Sequence, residues 1–358
     1  MFRSFIAAPA SLILYLTLVS CSDKSEDDLC CQFSELVTDG QAKKDQGMLH
    51  IEGSTGAYYY VFNEQGQQVS YQALNQALAL EPARYIVKVN NTSHDVEVRA
   101  GHLAKCSTGT LIITGNTPEY YTVTDSTGVQ LGYETLGKPM SFFPGLIKVK
   151  VNNTEEVVEI KLKEMTEIRT GSLLIKGNTG EYYYVLDDGN KQLNYNSLEK
   201  PLSFLPGSYV VKVNNTSKQA DVVPGSVTEL MTGSLVVKGL TDEYYYVTDT
   251  AGSALNYQSL NKALAFFPGM VQVKVNNTLM SGKVAAGETT EFTTGCLMLT
   301  GGGTGYYYVL DGLGNQLNYN SLNKSLSFFP SEYTIKVGSN TRQATVTAGQ
   351  LTSLNAFD

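Results

Sequence analysis

The residues able to do chemistry in this chain are few, and their spacing limits what that chemistry could be. The histidines are His50, His94 and His102 only. Their separations match no recognisable zinc-ligand spacing, so they read as scattered polar positions and no metal site is expected. Beyond residue 102 there is no imidazole to serve a Ser-His-Asp or Cys-His centre. The acids Asp125, Asp187, Asp249 and Asp311 recur at one interval, with Asn63 in the first place of the series. Calcium would need several oxygens converging on each site. One acid per turn is more simply a side chain capping its own backbone. Asn90, Asn152, Asn214 and Asn276 each open an N-N-T sequence, which reads as a turn. The five cysteines are Cys21, Cys30, Cys31, Cys106 and Cys296, and none is expected to be catalytic.

The interval that spaces the aspartates organises the whole chain. Gly47, Gly109, Gly171, Gly233 and Gly295 step by it without a gap, as do Pro82, Pro144, Pro206, Pro268 and Pro330. Lys88, Lys150, Lys212, Lys274 and Lys336 obey the same step. A fixed period of this length means tandem modules, here five. In that frame Cys106 aligns with Ile168, Leu230 and Phe292, which marks it as a small buried hydrophobe. Cys296 aligns with Thr110, Ser172 and Ser234, which suggests exposure.

Copy three shows the local pattern. Residues 172–176, 182–187, 191–195, 202–205, 209–214, 218–223 and 227–231 are short runs of strand formers separated by turn signals. In 209–214, Tyr209, Val211 and Val213 alternate with Val210, Lys212 and Asn214. No sustained helical period appears in the repeats. The expected fold is all-β: a tandem array of five small antiparallel β-sandwich repeats of 62 residues. The expected boundaries are 46–107, 108–169, 170–231, 232–293 and 294–358. A closed five-bladed propeller is the alternative, although seven strands exceed a blade's usual four. A single module of this size buries only about 60% of the surface its unfolded chain exposes. No linker separates the copies, so neighbours should stiffen one another. Five globules in line would reach on the order of 140 Å.

Alternation in the recurring Y-Y-Y-V strand puts Tyr183 and Val185 on the core face and Tyr182 and Tyr184 on the other. The third tyrosine of each copy, Tyr60, Tyr184, Tyr246 and Tyr308, is the candidate interaction face. Copy two has Thr122 there, a replacement that a core position would tolerate badly. Tyr71, Tyr133, Tyr195, Tyr257 and Tyr319 form a second series. Tyrosine offers apolar area and a hydroxyl together, which suits contact with a protein or a glycan. The other reading is that these rings cover the second sheet or the joint between copies.

Composition narrows the class. The 358 residues are 42% hydrophobic and 17% charged, too apolar for disorder and too polar for a multispanning membrane protein. A net charge of -8 argues against a nucleic-acid partner. Arg3 and the apolar run 5–19 make an export signal, too short for a transmembrane span. Leu18-Val19-Ser20-Cys21 resembles the bacterial lipobox. The resemblance implies cleavage before Cys21 and a diacylglycerol anchor on its thiol. An ordinary signal peptide cut near Ser20 is the alternative. Residues 21–45 are polar and acidic, and read as a flexible tether. Their start, Ser22-Asp23-Lys24-Ser25-Glu26-Asp27-Asp28, resembles the surface-export signals of Bacteroidetes lipoproteins or is a plain solvated linker.

Leu202, Phe204, Pro206, Gly207, Tyr209, Val211 and Val213, then Val222, Gly225, Thr228 and Leu230, resemble PEGA-type and related immunoglobulin-like sandwiches of bacterial surface proteins. The likeness covers the second half of each copy; the Y-Y-Y-V hairpin departs from it. It implies an extracytoplasmic structural or binding module without catalysis. The expected protein is therefore a non-enzymatic lipoprotein with signal peptide 1–20, held on the bacterial outer membrane through Cys21. It would act as a stalk or adhesion module without a cofactor, or alternatively bind glycans through its repeated tyrosines.

Overall fold

The computed structural model describes residues 30–35 and 45–356. Module three illustrates how the sequence becomes a sandwich. Its seven strands are Gly171–Lys176, Tyr182–Leu186, Gln192–Ser197, Leu202–Phe204, Gly207–Val213, Thr216–Val222 and Val227–Met231. Three of them form one sheet, with Gly171–Lys176 between Leu202–Phe204 and Val227–Met231. The other four run in the order Gln192–Ser197, Tyr182–Leu186, Gly207–Val213, Thr216–Val222. The alternation read from the sequence holds: Tyr183, Val185, Val211 and Val213 are fully buried against Leu173, Ile175 and Phe204 of the facing sheet. Each such side chain contributes roughly 1.5–3 kcal/mol of burial.

The chain folds as the expected tandem β-sandwich modules, in which most strand pairs are antiparallel and one pair runs parallel. Ser172 to Lys176 pair in parallel with Val227 to Met231. The first and last strands also pair in parallel in modules one, four and five. A parallel pair needs a long crossover, and here the intervening strands supply it by passing through the second sheet. Hydrophobic alternation carries no information about direction, so the sequence could not reveal this.

The chain divides into two compact units. The first holds the described residues up to Thr110 together with Ser141–Gly145 and Ile160–Met165. Here a segment expected to be tether is a strand. Cys31–Glu35 lies antiparallel to His102–Ser107, adding a fourth strand outside Gly47–Glu52 and Ala77–Leu80. Cys31 is disulfide-bonded to Cys106, so Cys106 is a cross-link and not merely a small core residue. Neither point was legible, because Cys31-Gln32-Phe33-Ser34-Glu35 has no strand pattern of its own. Its conformation comes from the sheet edge it covers and the covalent bond that holds it there. Cys21, the signal peptide and most of the tether lie outside the described residues.

The second unit holds Leu111–Met140, Leu146–Glu159 and the described residues from Thr166 onward. Within it, successive modules lock through the N-N-T turns. Asn276 and Asn277 both adopt left-handed backbone, at φ 44° and 65°, which asparagine tolerates. The turn joins Gly269–Val275 to Thr278–Val284. Asn276 Nδ2 donates to Glu243 Oε1 at 2.6 Å and to the Ser327 carbonyl of module five at 2.9 Å. Its Oδ1 accepts from Asn318 Nδ2 at 2.7 Å. Glu243 Oε2 accepts the Ser327 amide at 2.6 Å. Asn214 with Glu181, and Asn152 with Glu119, make the same set with the module that follows each. Apolar residues cross as well: Phe267 packs into the core of module three and Phe329 into that of module four. Modules of marginal size thus complete one another's cores.

Candidate functional site: the tyrosine face

The tyrosine strand and its hairpin partner are set by a tight turn. Asp311 Oδ1 accepts the amides of Leu313 and Asn315, both at 2.8 Å, and Gly314 at φ 85° supplies the left-handed position. In module three Asn190, at φ 62°, replaces that glycine. The recurring acids therefore cap their own turns. The Asn315 side chain and these backbone amides hold the Asp311 carboxyl below its usual range.

Within the strand the three tyrosines differ. Tyr183 is fully buried and its hydroxyl donates to the Lys200 carbonyl at 2.7 Å. Burial pushes its pKa up. Tyr59, Tyr121, Tyr245 and Tyr307 occupy the same post in the other copies. Tyr182 and Tyr184 stand on the outer face, 50% and 38% exposed. Tyr195, from the neighbouring strand, lies between them. Its ring is 5.9 Å from Tyr182, edge on, and 5.8 Å from Tyr184, stacked.

This three-ring cluster recurs as Tyr58, Tyr60 and Tyr71, as Tyr244, Tyr246 and Tyr257, and as Tyr306, Tyr308 and Tyr319. Module two keeps only Tyr120 and Tyr133, 6.2 Å apart. The four tyrosines singled out from sequence, Tyr60, Tyr184, Tyr246 and Tyr308, are thus on the outer face, each stacked or tilted against a second ring.

The register adds a partner the sequence reading missed. Tyr184 lies opposite Tyr195 on one side and Lys212 on the other, and Lys212 lies opposite Ser217. The rows Tyr71-Tyr60-Lys88 and Tyr257-Tyr246-Lys274 repeat the pattern, as does Tyr319-Tyr308-Lys336. The periodic lysine was visible from the start, but which strand it faces follows only from the sheet order. In module four a groove of about 870 Å³ runs past Tyr246, Tyr257 and Lys274 to Asn215, Asn256 and Asn277.

The remaining chemistry-bearing residues do not join this face. His50 has a buried Nε2 without a hydrogen-bond partner, on Gly47–Glu52. His94 packs 5.4 Å from the Phe143 ring, and burial lowers its pKa. His102 lies on His102–Ser107, with Nδ1 2.9 Å from the Ala100 carbonyl. Among the described residues no three His, Cys, Asp or Glu side chains converge. Cys296, expected to be exposed, is buried, and burial raises its thiol pKa. Its counterparts Ser172 and Ser234 are buried too, because small polar side chains at this place find partners inside, as Ser234 does in Thr289 at 2.7 Å.

Comparison with family models and with curated proteins returns no match. Solved structures with some likeness include the Bacillus anthracis TIE protein, at 13% identity over 94% of this chain and 75% of that one, with a TM-score of 0.18. BcpA, the major pilin subunit of Bacillus cereus, is 10% identical over 87% of this chain and 98% of its own, with a TM-score of 0.16. The pilus adhesin SpaC from Lactobacillus rhamnosus GG is 9% identical over 87% of this chain and 43% of its own, with a TM-score of 0.17. Likeness this loose carries nothing about function.

Proposed function

We propose that this chain is a non-enzymatic, exported and lipid-anchored array of sandwich modules that adheres to a partner through its tyrosine face. The carrying observation is the ring cluster, displayed on the outer sheet of four modules and thinned in the second. Rings left outside a sandwich that already has a buried tyrosine per module are not needed to fill its core. Weak contacts made by several modules of one chain combine through effective concentration. The Cys31–Cys106 disulfide supports export, since such bonds persist in oxidising compartments. Anchoring rests on Cys21 within Leu18-Val19-Ser20-Cys21.

Replacing Tyr60, Tyr184, Tyr246 and Tyr308 together by Ser should abolish adhesion while the modules stay folded, at a cost of about 1 kcal/mol of ring contact in each of the four modules, with each single change having a small effect on adhesion. Retained adhesion by the quadruple variant would overturn the reading. Cys21→Ala should move the protein to the soluble fraction or leave it unprocessed; unchanged membrane retention and palmitate labelling would remove the anchor. A second reading, glycan binding, is favoured by the groove that sets Tyr246 and Tyr257 beside Lys274 and several amides. A glycan array separates the two.

A further inference from the structure

The disulfide and the parallel strand pairs together decide how a pull on the chain would travel through it. Cys31 is bonded to Cys106, and after Cys106 come only Ser107 and Thr108 before the first strand of module two, Gly109–Thr114. The Ser107 amide also donates to the Cys30 carbonyl at 3.0 Å. Tension on the chain ahead of Cys31 therefore crosses to Cys106 through a covalent bond. Everything between the two cysteines is a closed side loop. That loop holds the strands of module one from Gly47–Glu52 to Thr92–Val98.

Modules three to five are connected so that tension must pass through their sheets. In module three Ser172 lies beside Val227 and Lys176 beside Met231, in parallel. Tension enters this pair at Gly171 and leaves it at Met231. In a parallel pair those points are at opposite ends, so the strands are dragged past each other and their bonds resist together. An antiparallel pair would put both points at one end, and the bonds would open one after another. Modules four and five share the parallel register, with Ser234 beside Thr289 and Cys296 beside Leu351. The connections add little slack. Thr232, between modules three and four, donates its amide at 2.9 Å and its hydroxyl at 3.0 Å to the Lys176 carbonyl. Thr294 does the same with the Lys238 carbonyl, at 2.8 and 3.0 Å.

We propose that this chain transmits tension along one route: in at Cys31, across the disulfide to Cys106, and on through the following modules, with module one left out of the line and the parallel pairs of modules three to five resisting in shear. Module one then keeps Tyr58, Tyr60 and Tyr71 displayed while its neighbours are stretched. Reduction ends that shelter and puts its own parallel pair, Met48 to Glu52 with Leu103 to Ser107, into the line. That tension arises at all rests on the anchored, adhesive reading; the route itself does not.

Stretching single molecules of the full chain between handles at its two ends, attached without thiol chemistry, tests the route. Reduction, or Cys31→Ser, should lengthen the fully stretched chain by roughly 250 Å, because the bond closes a separation of 75 residues. Equal lengths with and without reductant would overturn the route. Handles moved to Asn178 and Met231, close to one end of the module-three pair, pull its strands apart bond by bond. Module three should then unfold at roughly half the force, or less, that it withstands in the end-to-end pull. Equal forces in the two geometries would overturn the shear resistance. Neither readout involves the lipid, so loss of the anchor shows in the Cys21→Ala fractionation and failure of the route shows in the stretching.

Discussion

Tyr183 and Tyr184 are neighbours in one strand, and the pleat turns them to opposite faces. Removing the Tyr183 hydroxyl leaves the Lys200 carbonyl without its donor, so Tyr183→Phe should cost about 1–2 kcal/mol, and Tyr183→Ala about 3–5 kcal/mol through the cavity it leaves. Tyr184→Ser loses mainly a ring contact with Tyr195, worth about 1 kcal/mol. Denaturant midpoints of the three variants would rank them; a loss from Tyr184→Ser as large as from Tyr183→Ala would make the outer ring structural. Asp311 gives a pH prediction. Its folded pKa is depressed, so the stability its carboxylate lends the turn is complete above the unfolded value and disappears as pH falls through the folded one. A carboxyl NMR titration should place its midpoint below that of an unstructured aspartate, and Asn315→Ala should move it upward.

The N-N-T turn is the element that makes neighbouring modules fit. Asn276→Gly keeps the left-handed backbone but removes the bonds to Glu243, Ser327 and Asn318. It should cost about 2–4 kcal/mol, because a carboxylate and a carbonyl lose their donor together. Hydrogen exchange should show modules four and five opening at lower denaturant than module three; a uniform shift across all modules would argue against a local lock.

That the asparagines form a turn was legible, since few other residues accept two left-handed positions in succession. That the turn docks was not, because the acceptor lies 51 residues further on, in another module. A clue was present: copy five has Gly338-Ser339-Asn340 where the others have the motif. The strands were legible wherever one face is buried, as in Tyr209, Val211 and Val213. The parallel pairing of Gly171–Lys176 with Val227–Met231 was not, since both directions obey the same alternation.

At the scale of the molecule, stability is a sum over modules and their joints. Module one carries an extra term. The Cys31–Cys106 bond closes a separation of 75 residues, and a loop that long removes about 4 kcal/mol of unfolded-state entropy in the chain-closure view. Reducing the protein should therefore speed amide exchange in residues 45–107 and leave modules three to five unchanged, as read by mass spectrometry with and without reductant. Equal acceleration everywhere would show that the bond supports more than its own module.

The repeated joint also bears on how such a chain varies over generations. Asn152, Asn214 and Asn276 each address the same carbonyl and the same asparagine of the module that follows. Excising residues 170–231 would bring Asn152 to the Ala265 carbonyl and to Asn256, the partners that Asn214 has now. Recombination that joins equivalent points of two copies would then leave no misfitted seam. Alleles with four or six modules should fold as readily as this one, and the number of displayed tyrosine clusters would change in steps of one repeat.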